Sequence, residues 1–128
     1  MSATNYREGI RKSGAMVSVV AAAPNNAINC YLLTAGRTCI LRKLTIHNRN
    51  AANTVVRVGT GVGAAFVQAM PGWAVPTGQD REIGEGSMEP IVDLEFTANI
   101  TVEATAAAAA PNDVQVLAEV EELQGPTG

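Results

Sequence analysis

From Val92 to Thr105 the chain alternates without a break. Val92, Leu94, Phe96, Ala98, Ile100, Val102 and Ala104 are apolar; Asp93, Glu95, Thr97, Asn99, Thr101, Glu103 and Thr105 between them are polar. Successive side chains of a strand point to opposite sides of the sheet. This spacing therefore predicts strands with one face on a core and the other in water. Asn99, after Thr97-Ala98, reads as a turn between two of them. The same period returns in Val114, Val116, Ala118 and Val120 against Gln115, Glu119 and Glu121. Pro111-Asn112-Asp113 marks the linker Ala106–Asp113 as a loop, and its five alanines are too few for a helix that stands alone.

The first half follows the same rule. Ala15–Ala23 ends at Pro24-Asn25-Asn26, and Ala27–Leu33 and Thr38–Asn48 flank Ala35-Gly36, which predicts a hairpin. Within Thr38–Asn48 the apolar register changes, from odd Cys39 and Leu41 to even Leu44 and Ile46. A one-residue bulge near Arg42-Lys43 returns both pairs to one face. Asn48–Asn53 is a polar turn, Thr54–Val58 a short strand, and Ala64–Ala69 a weaker one. Met70–Pro90 holds Pro71, Gly72, Pro76, Gly78, Gly84, Gly86 and Pro90, and reads as a long irregular connection in which Arg81–Ile83 pairs as a short strand. The expectation is an all-β chain: a jelly-roll-like antiparallel β-sandwich of about eight strands over residues 15–128, preceded by an extended N-terminal arm, residues 1–14.

The residue inventory bounds the chemistry. One histidine (His47) and two cysteines (Cys30, Cys39) fall short of a zinc site, which draws about four ligands from His, Cys or carboxylates. His47 has no nucleophile motif nearby and reads as a surface or rim residue at a strand end. Gly59-Thr60-Gly61-Val62-Gly63 imitates a phosphate loop but lacks its Lys-Ser/Thr, so it reads as a strand turn. No enzyme activity, metal or cofactor is expected. Arg7, Arg11 and Lys12 before the apolar run Ala15–Ala23 imitate a secretory signal, but the run is short, has no leucine and contains Ser18. A soluble protein made in the cytoplasm is expected, with both thiols reduced and buried or half-buried; a disulfide would need the two Cα atoms within ~7 Å.

Charge is uneven along the chain. Residues 1–57 hold eight Lys/Arg and one acid, residues 79–128 eleven acids and one Arg, for a net charge of −3. Two readings stay open: interleaved strands that mix the charges on a wet surface, or complementary poles that meet between subunits. The basic residues are not interleaved with aromatics, so nucleic acid is not an expected partner. Membrane is not one either.

The run Leu33-Thr34-Ala35-Gly36-Arg37-Thr38-Cys39-Ile40-Leu41-Arg42-Lys43-Leu44-Thr45-Ile46-His47-Asn48, with Asn53-Thr54-Val55-Val56-Arg57-Val58, resembles small β-sandwich proteins of tailed-phage particles. There an Ala-Gly-Lys/Arg-Thr turn leads into a strand ending in Asn, then a polar turn and a Thr-Val-x-Val strand. The resemblance spans Ala27 to Gly59. Beyond it, size and richness in alanine, valine and glycine are similar to those of capsid decoration (cement) proteins. That resemblance implies a non-enzymatic virion protein on the capsid outer surface, bound to the major capsid protein and to itself as a homotrimer. A fibre, spike or baseplate component and a soluble ligand- or carbohydrate-binding β-sandwich module remain the alternatives. Residues 1–14 are expected to dock on a neighbouring chain, with Tyr6 and Ile10 as apolar anchors and Arg7, Arg11 and Lys12 meeting acids; the alternative is an arm folded along its own sheet edge. Trp73, alone in a Pro/Gly loop, either covers the core edge or touches a partner.

Overall fold

The computed structural model describes residues 9–124. Eleven strands run in chain order: β1 Gly9–Ser13, β2 Val17–Val19, β3 Ile28–Tyr31, β4 Arg37–Asn48, β5 Thr54–Thr60, β6 Val67–Gln68, β7 Trp73–Val75, β8 Asp80–Gly84, β9 Glu95–Phe96, β10 Ile100–Ala104 and β11 Val114–Gln124. One sheet has the order β1-β11-β4-β8, with β2 also on β11 and β9 also on β4. The other has the order β3-β10-β5-β6, with β7 also on β5. Every pairing is antiparallel, and the inner faces of both sheets share one core. The all-β sandwich expected from the alternation is the fold observed. The strand count exceeds eight because β1, which has no apolar alternation, and the three-residue β7, inside the Pro/Gly-rich connection, leave no period-two signature.

The longest ladder joins β4 to β11. Opposite Glu119 and Val120 stand Lys43 and Leu41, so Arg42 is the extra residue of a bulge. That bulge turns Cys39, Leu41, Leu44 and Ile46 all inward, where each is fully buried beside Val114, Val116, Ala118 and Val120. The register change in the sequence and the bulge in the ladder are the same event. Ala106–Asp113 is a loop as expected, closed by Thr54, whose hydroxyl donates to Ala106 O at 2.7 Å.

Four expectations are corrected. Ala35-Gly36 does form a turn, with Arg37 N donating to Thr34 O at 3.1 Å and Gly36 at φ +78°, but not a hairpin. Both edges of β4 are occupied, by β11 on one side and by β8 and β9 on the other. β3 therefore crosses to the second sheet and pairs with β10. Second, Gly9–Ser13, expected within an arm without strand character, is an edge strand on β11, so this part follows the alternative of an arm laid along its own sheet edge; residues 1–8 lie outside the described residues. Third, the alternation from Val92 yields two strands with a bend at residues 97–98 between them, as expected, but its first three residues join no strand. Val92 is 67 % exposed, and only β9 and β10 are in the sheets. Fourth, the polar side of β10 is not wet: Thr101 and Glu103 are buried, Glu103 pairing with Arg57 at 3.1 Å.

The topology also mixes the charges within one chain, as the first of the two readings expects. β4, from the basic half, lies between β11 and β8, from the acidic half. Ion pairs run between the halves: Arg42 to Glu121 (2.8 Å) and Asp93 (2.9 Å), Lys43 to Glu82 (2.9 Å), Arg11 to Glu85 (2.5 Å). The folded surface mixes what the sequence separates.

Candidate functional site

Where the two sheets meet along β1 and β3, the surface holds a groove of about 520 Å³. One wall is Lys12–Ala15 with Val17, the other Asn29–Leu32 with Thr34. The seam beneath is tight. Gly14 N donates to Ala118 O at 2.9 Å, and a Cβ at Gly14 would stand 2.6 Å from the carbonyl oxygen of Cys30. Only glycine allows that approach.

Behind the wall lies Glu122, with none of its side chain exposed. Its position follows from the period of β11: Val114, Val116, Ala118 and Val120 point inward, and residue 122 is next in that series. Its carboxylate accepts hydrogen bonds from the Tyr31 hydroxyl, from Thr34 Oγ1 at 3.0 Å and from Thr34 N at 3.2 Å. Lys12 Nζ stands 3.5 Å and Arg37 Nη1 3.7 Å from its other oxygen. Burial disfavours the charged form, but the hydrogen bonds from Tyr31 and Thr34 and the field of Lys12 outweigh it, and the carboxyl is held at about 2. Burial, followed by its bond to the same carboxylate, pushes the Tyr31 phenol well above its ordinary range. One side chain thus gathers groups from β1, β3, the turn after β3 and β4.

The expected contact residues separate. Tyr6 and Arg7 lie outside the described residues. Alternation along β1 divides the others: Ile10 and Lys12 stand opposite Glu122 and Val120 on the core side, Arg11 opposite Glu121 on the outer face. The acids that Arg11 and Lys12 meet belong to their own chain, Glu85 and Glu122. Trp73 is not with them. It sits on β7 in the other sheet, half-buried against the core.

His47 Nδ1 pairs with Asp80 Oδ1 at 2.6 Å on the outer face of β4 and β8. Among the described residues no three His, Cys, Asp or Glu side chains gather as a metal site. Cys30 and Cys39 are buried free thiols in opposite sheets. Burial pushes Cys30 up to about 12 and Cys39 to about 11. Glu122 went unnoticed in the sequence, although carrying the β11 alternation one step past Val120 marks it as an inward acid.

No model of a known protein family matches the chain, and no curated protein matches it.

Proposed function

We propose that the protein is a structural component of a tailed-phage particle, a decoration protein that binds the outer surface of the major capsid protein shell as a homotrimer. The observation that carries this reading is where the phage-like stretch falls. Leu33–Asn48 and Asn53–Val58 supply the turn before β4, β4 itself and most of β5, the long strands of the two sheets. A resemblance confined to surface loops would carry less weight, since loops tolerate change and frameworks do not. Exposed apolar side chains add support: Leu32, Val62, Val67, Met88 and Val92 all face solvent, Met88 almost fully. Such side chains suit burial against other chains. Because the charges pair within the chain, the contacts of this reading rest on apolar area and strand edges more than on charged poles.

Immunogold microscopy of particles from the source material tests it. Label on the outside of icosahedral shells is expected; label on tails or fibres, or no particle, would overturn it. Light scattering should return three times the 13.3 kDa chain mass, in solution or from the particle-bound form. A second reading, a ligand-binding sandwich module, has the groove in its favour and expects a stable monomer.

A further inference from the structure

We propose that the groove between β1 and β3 is a binding site for a small amphipathic monocarboxylate, an apolar stem of medium length ending in one anionic group. The inference rests on the groove itself and stands whether or not the chain belongs to a virion.

Three features select that chemistry. The first is a placed cation. Lys12 is brought to the core side of β1 by its register and held there by Glu122 at 3.5 Å and by its bond to Thr34 Oγ1 at 3.3 Å. An ammonium has three protons, and this one spends a single hydrogen bond on the described residues, so donors remain for a ligand. The lysine is also 41 % exposed, so its head reaches the groove instead of being sealed behind it.

The second feature is the charge balance. Lys12 shares the fully buried Glu122 with Arg37, which does not line the groove, and among the described residues Lys12 is the one charged side chain in the groove walls. In a protein of net charge −3 the charge this groove exposes is nevertheless positive, since Lys12 is 41 % exposed and Glu122 not at all. A cationic ligand is repelled here and an anion is drawn in.

The third is the apolar lining. Ala15, Val17 and Leu32 present hydrocarbon to the groove, and Leu32 is 68 % exposed. The volume falls within the range of clefts that take small organic ligands. A bare inorganic anion would leave that hydrocarbon wet, whereas a stem of several methylene groups covers it.

Titration of the intact protein with octanoate, followed by amide NMR, tests the assignment against octylammonium, 1-octanol and the blocked peptide acetyl-Leu-Glu-Leu-amide. Saturable shifts with octanoate at the amides of residues 12–17 and 29–34 are expected, with weak or no response to the other three. Leu32→Asp removes the apolar wall at an exposed position and should weaken octanoate at least about tenfold with the spectrum otherwise unchanged. Lys12→Gln should weaken it similarly, and Lys12→Arg should restore part of the loss. Equal binding of octanol or octylammonium, or no saturation by octanoate at about 10 mM, would overturn the proposal. So would binding of the peptide without octanoate, which would assign the groove to a side chain of a protein partner.

Discussion

The Tyr31 hydroxyl, on β3 of one sheet, donates its hydrogen bond to the buried Glu122 carboxylate, on β11 of the other. A polar contact thus links the two layers at the edge where the hydrophobic core ends. Because Glu122 has no exposure, each donor around it replaces water that the carboxylate cannot reach.

Replacing either partner should separate the two effects. Tyr31→Phe removes one donor and is expected to cost about 1 to 2 kcal/mol. Glu122→Ala leaves the Tyr31 hydroxyl and the Thr34 amide and hydroxyl without their shared acceptor, and Lys12 and Arg37 without their counter-ion. It should cost about 2 to 4 kcal/mol, near the lower end of what breaking a buried pair costs because both cations remain partly wet. Urea unfolding of the two variants at pH 7 measures this. A Glu122→Ala variant as stable as the parent would refute the role given to the carboxylate.

The same carboxylate sets an acid limit. Its folded value, about 2, lies below the ordinary 4.5, so between those values the unfolded chain binds the proton more readily. The stabilisation from Glu122 is therefore complete above the ordinary carboxylate range and disappears as pH falls through about 2. Subtracting the stability of Glu122→Gln from that of the parent across pH 6 to 2 should give a difference that shrinks steadily with acid. A difference independent of pH would contradict it.

Arg42 permits an unusual deletion. Removing it leaves Cys39, Ile40, Leu41, Lys43, Leu44, Thr45 and Ile46 in strict alternation, with the same four apolar residues inward. The deletion should fold and cost about 1 to 3 kcal/mol, from the ion pairs with Glu121 and Asp93 and the bond Glu85 N makes to the Arg42 carbonyl. Deleting Thr45 instead turns Ile46 to the wrong face of β4 and should abolish folding. Circular dichroism melts distinguish the pair.

Thiol labelling reports the seam. Cys30 and Cys39, with values pushed up to about 12 and 11, should resist a disulfide reagent at pH 8 in the native protein. Both should react at once in denaturant. Gly14→Ala forces the Cys30 carbonyl to move, costs about 1 to 3 kcal/mol and should speed native labelling of Cys30 more than of Cys39. Equal acceleration at both would point to global loosening instead.

How far the sequence can be read depends on what each element is paired with. The core face of β4 and the bulge at Arg42 were visible because a change of period is a local signal. The last strand was visible for the same reason, though reading it only to Glu121 missed the inward Glu122. Partner choice is not local. Nothing near Ala35-Gly36 says that β4 is already flanked on both edges, so the turn suggested a hairpin where the chain changes sheets. β1 was hidden because alternation there serves no apolar face: Ile10 and Lys12 share the core side, and the strand is held by pairing to β11. The groove combines both difficulties, since its two walls come from segments about fifteen residues apart that meet through the seam at Gly14 and the bond from Lys12 to Thr34.

The interleaving of basic and acidic strands has a consequence for the chain as it is made. The sheet that contains β4 closes only when β11, its last strand, becomes available, so the first 57 residues leave synthesis as an unneutralised cationic chain. Cleavage at Gly78, in the loop between β7 and β8, would yield one piece with β1 to β7 and an excess of seven positive charges. The other piece, with β8 to β11, would carry an excess of ten negative ones. Neither contains a complete sheet, yet each holds the missing strands and the opposite charge of the other. The two halves should therefore associate in solution, and faster as salt is withdrawn.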